Sequence, residues 1–271
     1  VFDSSAPLEI GTFASGASER LYGDVGRCIV RSGFAGTVVA DFNADDCYGD
    51  GYTHTDGYRW TLGLPKIYDR SGNNHPPAVF GAGSNQPLWL PWDGTPSVYL
   101  TGASGNYVSC PDAAALDITG DLDIAVWATL DSWASGGNQA LAGKWLSTGN
   151  QLSYQLRVNS TGNVLILIST TGLGGGAVVT WTSSVALNLS AGTQRWVRGT
   201  LDVNNGAGGS TAKFYTSTDG ATWTQLGADV TGAVAAPFAG SAALELGSES
   251  AGTTSLVAGR IHRAIVRSGI G

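Results

Sequence analysis

Methionine is absent from all 271 residues, and only four Glu and three Lys are present. Long helices usually carry Glu and Lys on a solvated face. These shortages therefore speak against a helical architecture. Charged residues make up 13% of the chain, against about 25% in a typical soluble domain. The three cysteines, Cys28, Cys47 and Cys110, are odd in number and widely spaced. They make no disulfide framework and no pair stands at metal-ligand spacing, so they read as free thiols. With a net charge of −7 and scattered Arg, the chain has no basic patch for nucleic acid or an anionic membrane. No apolar run reaches the roughly 18–20 residues of a bilayer span, and the N-terminus has no signal-peptide pattern. Membrane insertion is not expected. Beginning at Val1 and lacking Met, the chain reads as a piece of something longer or a processed product.

What is abundant is Gly, at 40 residues, with Thr, Ser and Val throughout: the composition of short strands joined by tight turns. Leu122, Ile124, Val126, Ala128 and Leu130 alternate along one face of a single run, which leaves Trp127 on the other. The segment 154–158 alternates as a half-solvated strand does. The run Val164-Leu165-Ile166-Leu167-Ile168 is apolar at every position, so both of its faces should be covered. Asn204-Asn205-Gly206 and Asp219-Gly220 supply residues that tolerate positive φ and mark turns. Many short strands without βαβ alternation predict an all-β protein, an antiparallel β-sandwich or barrel.

The two ends of the chain repeat one another. Residues 8–33 align without gaps to residues 244–269, and the run Ile29-Val30-Arg31-Ser32-Gly33 recurs as Ile265-Val266-Arg267-Ser268-Gly269. Glu9 matches Glu245, Arg27 matches Arg263, and Gly11, Gly16 and Gly23 match Gly247, Gly252 and Gly259. A period of this length means whole domains in tandem and not a solenoid. The expected layout is residues 1–35 as closing strands of a preceding unit, 36–60 as an acidic, Gly-rich connector, and 61–271 as the sandwich. The N-terminal copy would expose an apolar face and unpaired strand edges. It should therefore be covered by the main domain or by neighbouring copies of the chain.

The stretch from Asn106 to Val108 and the strand 122–127, entered through the Gly120-Asp121 turn and ending in Trp127, resembles the opening of laminin G-like, concanavalin A-like lectin domains. The strand around Trp196 and the segment 259–267 resemble later strands of that family. Residues 67–74 and 84–87 are similar to a segment preceding such sandwiches in fungal arabinofuranosidases and phage tail proteins. The runs 36–42 and 57–62 are most like linkers in repeat units of minor tail (receptor-binding) proteins of actinobacteriophages. The resemblance implies a jelly-roll sandwich, binding to a cell-surface glycan, and an extracellular or virion setting.

Hydrolysis of a glycoside usually needs two carboxyl groups about 5–9.5 Å apart. The four Glu do not supply the Glu-x-Asp-x-x-Glu pattern that laminarinase-like sandwiches use, and Glu245, repeated as Glu9, reads as structural. Asp117 and Asp121 sit where Asp is a good turn residue. His54, His75 and His262 are isolated. The reading is therefore a non-catalytic adhesion module, with two alternatives: a glycosidase acting on arabinan- or glucan-like polymers, and a fibre spacer. Candidate sugar contacts are Trp residues in loop-like contexts, Trp89, Trp92, Trp133 and Trp145, whose rings would stack on the C–H faces of sugars. Core packing is preferred for Trp196, and for Trp127 the two readings stand even. One segment places oxygen ligands at alternate positions as a calcium loop does: Asp41, Asn43 and Asp45. It departs from the EF-hand at Asp46, where Gly is expected, and at Tyr52, where a bidentate Glu is. An acidic solvated connector is the preferred reading, with Ca2+ the cofactor it would take otherwise.

Overall fold

The computed structural model describes residues 97–271 in full and, before them, only the backbone of six short strands. The chain divides into two compact units, Val1–Pro65 and Lys66–Gly271. In the first, β1 (Arg27–Arg31) pairs antiparallel with β2 (Val38–Asn43), and β3 (Gly51–Thr53) with β4 (Arg59–Thr61).

The second unit is an antiparallel β-sandwich, as the alternation requires. Across its seven-stranded sheet the order is β13 (Val178–Ala186), β12 (Asn163–Ser169), β11 (Gln151–Val158), β10 (Gln139–Leu146), β18 (Leu244–Leu246), β8 (Tyr107–Cys110) and β5 (Ala78–Phe80). The eight-stranded sheet runs β16 (Thr224–Gln225), β15 (Gly209–Ser217), β14 (Gln194–Asp202), β9 (Leu122–Leu130), β19 (Ala258–Ser268), β7 (Val98–Thr101) and β6 (Leu88–Trp89), with β17 (Val230–Ala233) also pairing β15. Two 3-10 turns, Ala114–Leu116 and Gly175–Ala177, are the helical segments among the described residues. No helix there is long and apolar enough to cross a membrane.

The core lies between the sheets and follows from period-2 side-chain direction. From the eight-stranded sheet come Leu122, Ile124, Val126, Ala128 and Leu130 of β9, Val197 and Leu201 of β14, and Phe214 of β15. From the other come Tyr154, Leu156 and Val158 of β11, with Val164, Ile166 and Ile168 of β12. Strand β12 is covered on both faces, as its unbroken apolar run predicts: Leu165 and Leu167 pack outward with Trp145 and Leu152 in a second, smaller cluster. Gly199 lets the sheets approach, since a Cβ there would lie 2.8 Å from Ile166 Cδ1 and 2.9 Å from Leu156 Cδ1.

The C-terminal repeat copy is split between the sheets, β18 in one and β19 in the other. Its link folds back around Glu245, whose buried carboxylate accepts from Ser248 Oγ (2.7 Å) and from the backbone N–H groups of Ala251 (2.8 Å) and Gly252 (3.3 Å). Gly247 and Gly252 hold φ of +82° and +77° in this link, a region that favours Gly. The identities shared by the two ends thus include the residues that shape this turn. In the N-terminal copy, Arg27–Arg31 is a strand, matching part of β19, and it pairs with β2. Residues 8–26, and the expected covering of their apolar face, lie outside the described residues.

Gly143 of β10 has no room for a side chain, because an added Cβ would meet backbone: Tyr154 O at 2.6 Å and Gln155 Cα at 2.8 Å. Gly143→Ala should destabilise the unit by about 1–3 kcal/mol, the range of overpacking, read as a lower urea midpoint at unchanged slope.

Candidate functional site

With the aliphatic row of β9 turned inward, Asp123, Ala125, Trp127 and Thr129 face outward, and the register of its neighbours builds rows across that outer face. The first row runs Ser217, Trp196, Trp127, Arg263; the next Tyr215, Arg198, Ala125, Ile265; the third Lys213, Thr200, Asp123, Arg267.

The first row is aromatic. Trp127 and Trp196 stack with centroids 5.7 Å apart and planes 6° from parallel, and Trp223 meets Trp196 edge-on at 6.1 Å. His262 lies 4.7 Å from Trp127, and Thr129 Oγ1 and His262 Nε2 are hydrogen-bonded at 2.9 Å. The guanidinium of Arg263 is 6.0 Å from the Trp196 ring. Trp196 is closed from above by the 217–223 turn, since a Cβ on Gly220 would be 2.8 Å from its indole. Core packing was the expectation for Trp196. The ring is indeed buried, yet on the outer face and under a turn, not between the sheets. Trp127 is half-buried on the same face.

The third row is ionic. Asp123 is fully buried and is bound by Arg198 Nε and Nη2 at 2.9 Å each and by Arg267 Nη1 at 2.9 Å. Arg198 in turn lies between two rings, 5.5 Å from Tyr215 and 5.4 Å from Trp223.

Beside these rows runs an open groove of about 370 Å³, lined by Thr200, Asp202, Thr211, Lys213, Tyr215, Asp229 and Ile270. Lys213 and Asp229 pair at 3.2 Å while both stay exposed, and Gln225 donates to Asp229 at 2.8 Å. The groove thus offers one aromatic ring, an ammonium, two carboxylates and three hydroxyls. That is the mixture that holds a polyhydroxylated ligand: a ring for C–H faces, with donors and acceptors for hydroxyls.

The tryptophans chosen from the sequence fall elsewhere. Trp133 is 1% exposed and belongs to the main core, its indole N–H donating to Thr193 O at 3.0 Å. Its small neighbours Ser132, Ala134 and Ser135 suggested a loop tip, but the ring turns inward to fill the end of the sandwich. Trp145, 7% exposed, is packed among Leu152 and Leu167. Neither ring has a free face for a sugar, and both are corrected to packing residues. Trp92 and Asp45 lie outside the described residues, as do the side chains of Trp89, Asp41 and Asn43, whose strands alone are described. Among the described residues, no three His, Cys, Asp or Glu side chains gather as a metal site. Cys110 is buried, its thiol donating to Pro111 O. Tyr215 and Trp223 were missed. The outward side of Tyr215 was legible from Lys213-Phe214-Tyr215, whose Phe214 is core.

The carboxylates of the notable glutamates are engaged. Glu245 holds the 248–252 backbone, and Glu249 accepts from Arg157 (2.5 Å), Gln155 (2.9 Å) and Ser255 (2.9 Å). Asp121, read from the sequence as a turn residue, accepts from the N–H of Val203, 82 residues away, at 3.0 Å and so ties the start of β9 to the end of β14. In the turn over Trp196, the backbone N–H groups of Thr222 and Ala221, with Ser217 Oγ, lower the Asp219 carboxyl from 3.8 to about 2.

No protein-family model matches the chain, and no curated protein does. Solved structures of similar layout include a CBM40 domain of the Ruminococcus gnavus IT-sialidase bound to α2,3-sialyllactose, at 16% identity and TM-score 0.44, covering 64% of this chain and 90% of that one. The receptor-binding domain of botulinum neurotoxin type G is similar at 10% identity and TM-score 0.46, over 74% of this chain and 45% of that one. The binding domain of Paraclostridial Mosquitocidal Protein 1 is similar at 11% identity and TM-score 0.42, over 75% and 48%. This chain spans less than half the length of either toxin domain it matches. At these scores no functional conclusion rests on the likeness.

Two outcomes follow. Asp123→Ala leaves Arg198 without its buried partner and should cost about 3–5 kcal/mol in denaturant unfolding, whereas Arg267→Ala removes one hydrogen bond to the buried carboxylate, leaves the bidentate Arg198 in place and should cost about 1.5–3 kcal/mol. The Asp219 carboxyl is lowered in the folded state, so its contribution is present above pH 3.8 and is lost as the pH falls towards about 2. Asp219→Asn should flatten the pH dependence of stability across that window, as measured by urea unfolding at stepped pH.

Proposed function

We propose that the chain is a carbohydrate-binding module that takes a glycan in the groove beside Tyr215. The observation that carries this reading is the groove itself. An outward aromatic ring stands with Lys213, Asp202, Asp229, Thr200 and Thr211 in one open depression on a rigid sheet. Three further features support it. The floor is strand and not loop, so the polar groups are held in place before a ligand arrives. The groove is open, the form suited to one or two sugar units at modest affinity, which repetition or oligomerisation raises by avidity. The carboxylates of Asp123, Glu245 and Glu249 are engaged elsewhere, and a hydrolytic reading of this groove would run through the two that line it, Asp202 and Asp229.

The proposed setting is extracellular or on a virion, as part of a larger adhesive protein. Its support is the internal repeat and the sequence resemblance to tail-protein repeat units. The partner class is a cell-surface glycan.

A glycan array with the purified chain, followed by calorimetry on the strongest hit, tests the proposal. Tyr215→Ala and Lys213→Ala should each weaken binding about tenfold, roughly 1.4 kcal/mol. Trp133→Ala, by contrast, should cost about 3–5 kcal/mol of stability and leave the affinity of the folded fraction unchanged. Silence on the array, or a hit untouched by Tyr215→Ala, refutes the groove. Release of reducing ends from the hit, abolished by Asp202→Asn or Asp229→Asn, would favour the hydrolase.

A further inference from the structure

Lys144 belongs to the other sheet, and nothing in the binding reading uses it. Its side chain has 0% exposure, and its Nζ lies 2.5 Å from Asp112 Oδ1 and 2.6 Å from Asp117 Oδ1. The two carboxyl side chains are 32% and 33% exposed. Strand β10 holds the amine from one side, where Lys144 sits opposite Tyr154 of β11. The 3-10 turn Ala114–Leu116 holds both aspartates from the other side: Leu116 N–H donates to Ala113 O at 2.8 Å and Asp117 N–H to Ala114 O at 3.2 Å. The Tyr154 hydroxyl is engaged too, donating to Leu116 O at 2.9 Å. Burial, followed by the charges of Asp117 and Asp112, raises that phenol well above its ordinary value, so it stays a neutral donor.

A simple ion pair needs one carboxylate. Here a second is fixed on the same amine, in a place where water does not reach the nitrogen. The arrangement is that of a nucleophile, an acyl carbon and a base: an amine, a carboxyl group one C–O bond beyond its closest contact, and a further carboxylate touching the same nitrogen.

We propose that Lys144 and Asp112 condense to an intramolecular amide, with Asp117 as the proton relay. One proton passes along the hydrogen bond from the ammonium to the Asp112 carboxylate, giving a neutral amine and a carboxylic acid. The Nζ lone pair attacks Asp112 Cγ, and the carbonyl electron pair moves onto its oxygen. Asp117 takes a proton from the nitrogen and returns it to the Asp112 hydroxyl. The carbonyl re-forms, the C–O bond breaks, and water leaves past the two part-exposed carboxyl groups. One amide bond is made, one water is released, and Asp117 ends as it began; no oxidant, reductant or further reactant enters. The product removes one buried positive and one negative charge from the interior, which relieves the cost of keeping an ammonium out of water. It also fastens the segment before β9 covalently to β10.

Intact-mass spectrometry of the denatured whole chain tests this directly. The expected mass is that of the sequence less one water, and fragment ions should join the peptides containing Asp112 and Lys144. Lys144→Arg, which keeps the cation but cannot be acylated in this way, should restore the full mass, as should Asp117→Asn, which removes the base. A wild-type chain at full sequence mass overturns the proposal and needs no variant to fold. A water loss that persists in Lys144→Arg comes from aspartate cyclisation elsewhere and overturns it as well. An amide mapped to Asp117 overturns the assignment of the two roles.

Discussion

In the middle of the eight-stranded sheet the Asp123 carboxylate is wholly out of water, held by one guanidinium from each neighbouring strand. A buried charge of this kind is tolerable only with its partners in place, so β14, β9 and β19 have to meet in one register. Because side chains alternate, that register also decides which residues form the core. With Arg198 and Arg267 turned outward to reach Asp123, Val197, Leu201 and Val266 turn inward with Leu122 and Ile124. A slip of one residue in β14 would both strand the carboxylate and put Arg198 into the place of Gly199, against Leu156 and Ile166. Electrostatics and packing thus reject the same error.

The outer face inherits its layout from the same pairing. The aromatic row and the ionic row are four residues apart on each strand, with the row of Arg198 and Tyr215 between them on the same face. The groove opens where β15 and the 229–230 approach to β17 continue that face past the ion pair. Trp127, Trp196 and Trp223 brace this surface, while Tyr215 is the ring that borders open space. The glycan reading therefore places recognition next to a rigid aromatic support and not upon it.

Much of the sandwich was legible because its signals are local. The alternation of 122–130 put Trp127 opposite the aliphatic row, and the unbroken run 164–168 announced cover on both sides. Asp219-Gly220 marked a turn that the structure closes through Asp219 and a positive φ at Gly220. The site was less legible because it depends on partners far apart in the chain. Arg198 and Arg267 are 75 and 144 residues from Asp123, and no local pattern pairs them. Lys144 showed nothing unusual among its neighbours: Asp117 read as a turn residue, and nothing local tied Asp112 to it. Trp133 and Trp145 misled for a related reason: small polar neighbours describe the backbone's surroundings, not the direction in which a large ring folds.

The irregularity in β19 between Ile261 and Arg263 has a consequence for how this strand tolerates a change in length. Arg260 faces outward beside Tyr99 and Ile261 faces the core. Strict alternation from there would turn Arg263 and Arg267 inward. The strand instead carries one residue more than its partner, and His262 is that residue. Removing His262 would thus shorten the strand while leaving every later side chain on its present face, whereas inserting a residue after Arg263 would reverse all that follow. In the gapless sequence match between the two ends, the position of His262 is taken by Gly26. What the repeat preserves is a count, and the identity of the counted residue is left open.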